Sequence, residues 1–317
     1  MNPNSTHDVP PWSEIKGLWL GSMIFSYTFS ILVGYIFVSN LYFLISVRRA
    51  LNHSVAQVTT SRKCNIAMDI LFFVANLAIF LFISMELPLV TVQHGIFCAV
   101  YEKIKCACFG LAQLGVYSVF WLRLLTAFYL NTILRNHISK VMQMFVRATC
   151  WFLIIMTIVN TSIFLYAPPY LTSRVGCLKV SSIGGFHPKW AVLIITTTFC
   201  QGCLLFYFMY PILLHKKSMN MTGVRTKSLV TLVKKLLIVM IICMTSNFIG
   251  YSFLAFYKSV TAYETHLVFS IGLLIHLLAL VFSFKNWQRR IFPFLKNTSK
   301  TMDSIKSVSR TTARTQV

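Results

Sequence analysis

The sequence predicts an all-α membrane protein, a bundle of seven transmembrane helices with its N-terminus extracellular and its C-terminus cytosolic. Three observations carry this expectation. Of 317 residues, 56% are apolar and only 11% charged. A soluble domain carries roughly 25% charged residues, so too little polar side chain is present to coat a water-facing surface. The apolar residues gather in seven continuous runs, each near the roughly 20 residues a helix needs to cross the hydrocarbon core. Lys and Arg fall in short clusters between those runs. A net charge of +22 would suit a nucleic-acid binder, but its placement between apolar runs is that of membrane loops, and no nucleic-acid partner is expected. The same composition excludes disorder, a collagen-like fibre and a disulfide-rich secreted module.

The spans follow in order. Residues 17–47 hold no charge and form the first. The second follows Lys63, runs to about Val90 and contains Asp69. The third runs from near Cys98 to about Tyr129 and contains Arg123. Residues 148–173 form the fourth, ended by Pro168 and Pro169, and residues 190–215 the fifth, ended by Pro211. Residues 236–257 and 265–284 form the sixth and seventh. Lipid admits only helices or closed barrels, and the runs are continuous rather than alternating, so helices are expected. The domain division is an extracellular segment 1–17, a bundle 18–284, and a basic cytosolic tail 285–317 that begins with a short membrane-surface helix.

Orientation follows from the basic residues. With the N-terminus outside, 21 Lys and Arg lie on the cytosolic side and 7 outside, with Arg123 inside a span. The first apolar run is too long for the hydrophobic part of a cleaved signal, so it is expected to insert as span one. Asn4-Ser5-Thr6 is a glycosylation sequon on the outer side. Similar triplets at Asn52, Asn160, Asn220 and Asn297 are cytosolic or buried in this topology.

An ionisable side chain inside a span costs a few kcal/mol, roughly, and is a functional candidate by default. Asp69, about one and a half turns into span two, and Arg123, near the cytosolic third of span three, are the two that stand out. Each reads as a polar switch facing the bundle interior. The alternative makes Asp69 a packing polar and lets Arg123 snorkel to the headgroups. Glu86, Lys105, Asn247, Tyr251, His266 and His187 would surround the mouth of a ligand cavity in the outer halves of the spans, whereas His276 reads as a buried, satisfied histidine. No enzyme is expected: the chain shows no phosphate-cradling Gly loop, no His-Glu-x-x-His helix and no closely spaced carboxylate pair within one span. No cofactor or metal is expected either, because Cys106-x-Cys108 and Cys200-x-x-Cys203 lie in apolar helices without nearby His or acid.

Several of these residues resemble the rhodopsin-like (class A) G-protein-coupled receptors. Asn40 stands in span one where that family has its Asn. Asn65-Ile66-Ala67-Met68-Asp69 resembles its span-two motif Leu-Ala-x-x-Asp. Cys98 precedes Arg123 by 25 residues and Trp151 follows it by 28, close to the family's intervals for its disulfide cysteine and its span-four Trp. Phe282, followed by Lys285-Asn286-Trp287-Gln288-Arg289-Arg290, resembles the span-seven Tyr and the start of the membrane-surface helix. The chain departs from the family at Leu122-Arg123-Leu124, which lacks the acid beside the arginine. It departs again at Cys243-Met244-Thr245-Ser246, which has neither Trp nor Pro, and at Leu278-Ala279-Leu280-Val281-Phe282, which lacks Asn-Pro.

The resemblance implies a receptor in the plasma membrane that binds an extracellular ligand and activates a heterotrimeric G protein. It also implies a Cys98–Cys177 disulfide over the bundle mouth. Lys105 falls near the place where amine receptors of the family carry an Asp, which disfavours a biogenic amine and points to an anionic or neutral ligand. In the alternative it marks the membrane boundary beside Glu102 and Lys103. No Lys lies between Glu264 and Lys285, which argues against a retinal Schiff base. The tail offers Ser and Thr sites for kinases and arrestin, basic residues for anionic membrane lipids, and a Thr315-Gln316-Val317 terminus of the kind PDZ domains capture. Two alternatives stand beside the receptor: a seven-helix transporter or lipid-handling protein, and a non-signalling scaffold held by that terminus.

Overall fold

The computed structural model describes residues 12–52, 60–87, 95–126, 139–166, 170–173, 176–179, 188–222, 227–256, 262–284 and 287–292. Its elements are α1 (Trp12–Asn52), α2 (Thr60–Ser84), α3 (Gly95–Leu124), α4 (Lys140–Leu165), β1 (Tyr170–Ser173), β2 (Gly176–Lys179), α5 (Pro188–Thr222), α6 (Lys227–Phe256), α7 (Ala262–Ser283) and α8 (Trp287–Ile291). Seven of these helices, α1 to α7, are long and apolar enough to cross a membrane. The protein is by that measure a multi-pass, seven-helix membrane protein.

The helical state follows from the solvent that the composition demands. In hydrocarbon every backbone N–H and C=O needs an internal partner, and a helix supplies one within the segment. β-branched residues that would weaken a helix in water therefore sit mid-span without breaking it. Large apolar side chains such as Ile31, Ile155, Ile195 and Ile249 point outward and are exposed, as a lipid-facing surface requires. Inward-facing residues build one continuous core through all seven helices.

The third helix is the axis of the bundle. It touches α2, α4, α5, α7 and both strands, and 61% of its most apolar stretch is buried, against 22% for α1 and for α4. Small residues let it come close to its neighbours, as membrane interfaces favour. A Cβ on Gly115 would stand 2.7 Å from the Ala75 Cβ of α2. On the other side Trp121 donates its indole N–H to the Val146 carbonyl of α4 at 2.8 Å. The start of α4 is capped by Ser139, whose hydroxyl accepts the Met142 N–H at 3.2 Å.

Several expected boundaries move. The fourth helix runs from Lys140 to Leu165 rather than 148–173, and the chain then forms an antiparallel hairpin, with Tyr170 opposite Lys179 and Ser173 opposite Gly176. The architecture is therefore helical but for one two-stranded hairpin, lying against α3 and, through β2, against α7. The fifth helix does not stop at Pro211 but continues to Thr222, because a single lost backbone bond does not end a helix that membrane and neighbours enforce. The first helix begins at Trp12, inside the segment expected to precede the bundle. The short helix expected after span seven is present as α8. Below, the bundle end bearing β1 and β2 is the hairpin end, and the other is the α8 end.

Candidate functional site

Buried polar side chains collect in three layers between the two ends. At the hairpin end, Glu86 just beyond α2, Lys105 on α3 and His266 on α7 are each under 10% exposed. The Lys105 ammonium stands 2.9 Å from one Glu86 carboxylate oxygen, and the His266 imidazole meets that same oxygen. The Ser22 hydroxyl of α1 donates to the other oxygen at 3.5 Å. Glu102, one turn before Lys105, lies 3.7 Å from its ammonium. Charges taken out of water are tolerated only when paired and hydrogen-bonded, and here the pairing joins four helical segments. Phe82 floors the cluster, with the Lys105 ammonium 5.5 Å from its ring centre and the His266 ring edge-on at 5.4 Å.

The middle layer is uncharged and centres on His276 of α7. Its Nδ1 lies 2.7 Å from the Gly272 carbonyl one turn back. A proton on Nδ1 completes that bond and leaves Nε2 as an acceptor. The amide nitrogens of Gln201 and Asn247 stand 3.4 and 3.3 Å from Nε2 and supply the donors. Gln201 also approaches the Tyr117 hydroxyl at 3.5 Å, and Gln113 donates to the Tyr251 hydroxyl at 3.0 Å. Helices α3, α5, α6 and α7 thus meet on amides, phenols and one imidazole. Between them lies a narrow crevice lined by Gln113, Tyr117, Asn247, Tyr251 and His276, with free space for about one water molecule. Its α6–α7 wall is tight: a Cβ on Gly250 would stand 2.9 Å from Val268.

The third layer lies at the α8 end. Asp69 of α2 is ion-paired with Arg290 of α8. Arg123 of α3, 8% exposed, donates to the Ser283 backbone carbonyl where α7 ends. Both guanidinium groups pack on Phe284, with Arg123 at 4.0 Å and Arg290 at 3.6 Å from its ring centre, an arrangement the negative face of an aromatic ring favours. Burial pulls the Arg290 guanidinium below its ordinary value, and the carboxylate of Asp69 opposes that pull. The Arg123 Nε is buried with no hydrogen-bond partner among the described residues. Arg123 is thus held by the neutral carbonyl that ends α7 and by the ring of the residue that follows it. Tyr35 of α1 donates to the Ile291 carbonyl at 2.8 Å, so α8 is also tied from the other side.

The residues singled out in the sequence thus separate. Glu86, Lys105 and His266 converge, while Asn247 and Tyr251 belong to the layer beneath them. Asp69 and Arg123 share one cluster through Arg290 and Phe284. Asn40 is buried, with its Oδ1 unpartnered among the described residues. Phe282 packs edge-on against Trp287, ring centres 4.9 Å apart. Trp151 does not face the interior. It is 69% exposed on the outer face of α4, and the bond to the third helix is made by Trp121 instead. Cys98 is buried at the start of α3, and Cys177 lies on β2 opposite Thr172 of β1. Cys64, Cys106, Cys108, Cys150, Cys200, Cys203 and Cys243 are free thiols. Asn4, His187 and Thr315-Gln316-Val317 lie outside the described side chains. Among the described residues no His, Cys, Asp and Glu cluster could hold a metal ion.

Sequence reasoning missed Gln113, Gln201, Phe284 and Arg290, whereas His276 is the buried, hydrogen-bonded histidine that the sequence led us to expect. An acid within a span calls for a cation at the same depth, and that rule applied to Asp69 would have turned attention to the basic residues just past span seven. Comparison with protein-family models finds none that matches the chain, and comparison with curated proteins finds no match.

Proposed function

We propose that this protein is a receptor of the rhodopsin-like kind in the plasma membrane, with its hairpin end outside and its α8 end in the cytosol. In this reading it senses an extracellular ligand and activates a heterotrimeric G protein. The observation that carries the reading is the state of Arg123. A buried guanidinium held, among the described residues, by the backbone carbonyl that ends α7 and the aromatic ring that follows it is a contact that a small movement of α7 breaks.

The rest of the interior supplies the coupling. A ligand entering the middle layer has to part α6 from α7, because free space there is slight and Gly250 packs close to Val268. Parting them displaces α7, and the Ser283 carbonyl at its end leaves Arg123. The freed arginine then turns to the G protein. The ligand shifts the equilibrium only by its preference for the parted arrangement. A Cys98–Cys177 bridge belongs to this reading, which is supported by the bonded state of the Cys98 sulfur and by the contact of β2 with α3. Arrestin, a PDZ protein and anionic lipids are the further partners proposed for the basic tail.

The test is G-protein activation in cells by the wild type and by Arg123→Ala at matched surface level, without ligand and across a broad compound panel. Activation that is lost in Arg123→Ala is the expected result. Equal activation by both proteins, or a surface-expressed wild type silent with every G-protein class, counts against the receptor.

A further inference from the structure

The ionisable side chains buried at the hairpin end lie against one another. Glu86 takes the Lys105 ammonium at 2.9 Å and faces His266 through the same oxygen, while its second oxygen accepts from Ser22. An aromatic layer then separates this cluster from the crevice. Phe109 stands 5.9 Å from Phe82 and 4.7 Å from Phe269, ring centre to ring centre, and Phe269 stands 5.6 Å from Tyr251. Beyond it, the crevice lining contains no carboxylate, ammonium or guanidinium among the described residues. Its polar groups are amides, hydroxyls and the His276 ring.

An organic cation in that crevice would meet no carboxylate, and an anion no ammonium. Recruiting Glu86 or Lys105 to serve a charged ligand would strand the other member of the pair in a buried site, which is the costly way to break an ion pair. Amide and imidazole groups, in contrast, can exchange their mutual hydrogen bonds for bonds to an uncharged ligand at little loss. Taking the receptor reading as given, we infer that the ligand is electrically neutral. It is a small molecule with an apolar, ring-sized body and adjacent donor and acceptor groups that replace the Asn247–His276 and Gln113–Tyr251 bonds. Lys105 therefore serves Glu86 rather than an anionic ligand.

The experiment measures thermal unfolding of the purified full-length protein in lipid nanodiscs against charge-matched probes: benzamide with benzylamine and benzoate, and indole-3-acetamide with tryptamine and indole-3-acetate. Benzamide or indole-3-acetamide is expected to raise the unfolding temperature, with the charged counterparts at least about tenfold weaker. Asn247→Leu is expected to abolish the neutral shift, and Asn247→Asp to turn the preference towards the amine. If Asn247→Leu does not fold, the wild-type ranking and the Asn247→Asp variant decide. A charged probe that stabilises as well as its neutral partner overturns the assignment. So does the absence of any neutral shift up to the solubility limit, or a shift that survives Asn247→Leu. G-protein activation is read separately. A protein that binds the neutral probes and activates nothing removes the receptor while leaving the neutral site in place.

Discussion

Phe284 carries two guanidinium groups on one ring, and that pairing decides what its replacement does. Each cation–ring contact at a desolvated site contributes about 0.5–2 kcal/mol, and here both contacts help hold α7 against α3 and α8. Phe284→Leu keeps the apolar volume but loses both, so under the proposed receptor function it is expected to raise ligand-independent G-protein activation above wild type, with Phe284→Tyr close to wild type. Basal signalling at matched surface level is the measurement, and equal basal activity in the Leu variant would contradict this role. The Glu86–Lys105 pair behaves differently. Lys105→Met leaves a buried carboxylate without its cation and is expected to cost roughly 3–5 kcal/mol, whereas adding Glu86→Gln recovers most of it. Thermal unfolding of the single and double variants checks this, and a double variant as unstable as the single would deny the coupling. These residues show what the sequence makes readable. Asp69, Glu86, Lys105, Arg123 and His266 stand out because ionisable groups in apolar runs are rare and expensive. Their partners do not, since Arg290 lies 221 positions from Asp69 and carries no mark among the other basic residues that follow span seven.

Among the elements, the eighth helix is five residues long, too short to be stable by itself. It persists through ties from other elements, among them Arg290 to Asp69, Arg290 on the Phe284 ring, Tyr35 to the Ile291 carbonyl and Trp287 against Phe282. Asp69→Asn removes the strongest and is expected to speed amide hydrogen exchange over residues 287–292 without altering exchange in α4; unchanged exchange there would show that α8 does not depend on the ion pair. The α2–α3 contact allows a second comparison. Gly115→Ala forces a methyl group into the Ala75 side chain and is expected to destabilise by about 1–3 kcal/mol. Gly202→Ala, where a Cβ meets nothing within 4 Å, is expected to be neutral or slightly stabilising. Element existence was readable because hydrocarbon selects helices from any apolar run of sufficient length. The ends were not, because Pro211 breaks helices in water but not here, and Tyr170–Lys179 pairs as a hairpin through contacts with α3 and α7 that no local pattern announces.

Across the whole molecule, the excess of basic residues on one side sets the proposed orientation. It puts Asn4 outside, where the glycosylation machinery reaches it. Glycosidase treatment is therefore expected to reduce the apparent mass of the protein made in cells, and Asn4→Gln to remove that difference; a mass unaffected by the glycosidase would withdraw the sequon from the reading. The central place of α3 has a consequence for how such a sequence changes over time. In a helix that faces mostly lipid, as α1 and α4 do, most positions need only to stay apolar, so they exchange Ile, Leu, Phe and Val freely and keep little record of their origin. In α3 one position must be small against Ala75, another must donate to Val146, and others must meet Glu86, Tyr251 and the end of α7. The information that specifies this protein is therefore concentrated in about thirty consecutive residues, and a search for its distant kin has most to gain from weighting that helix above the other six.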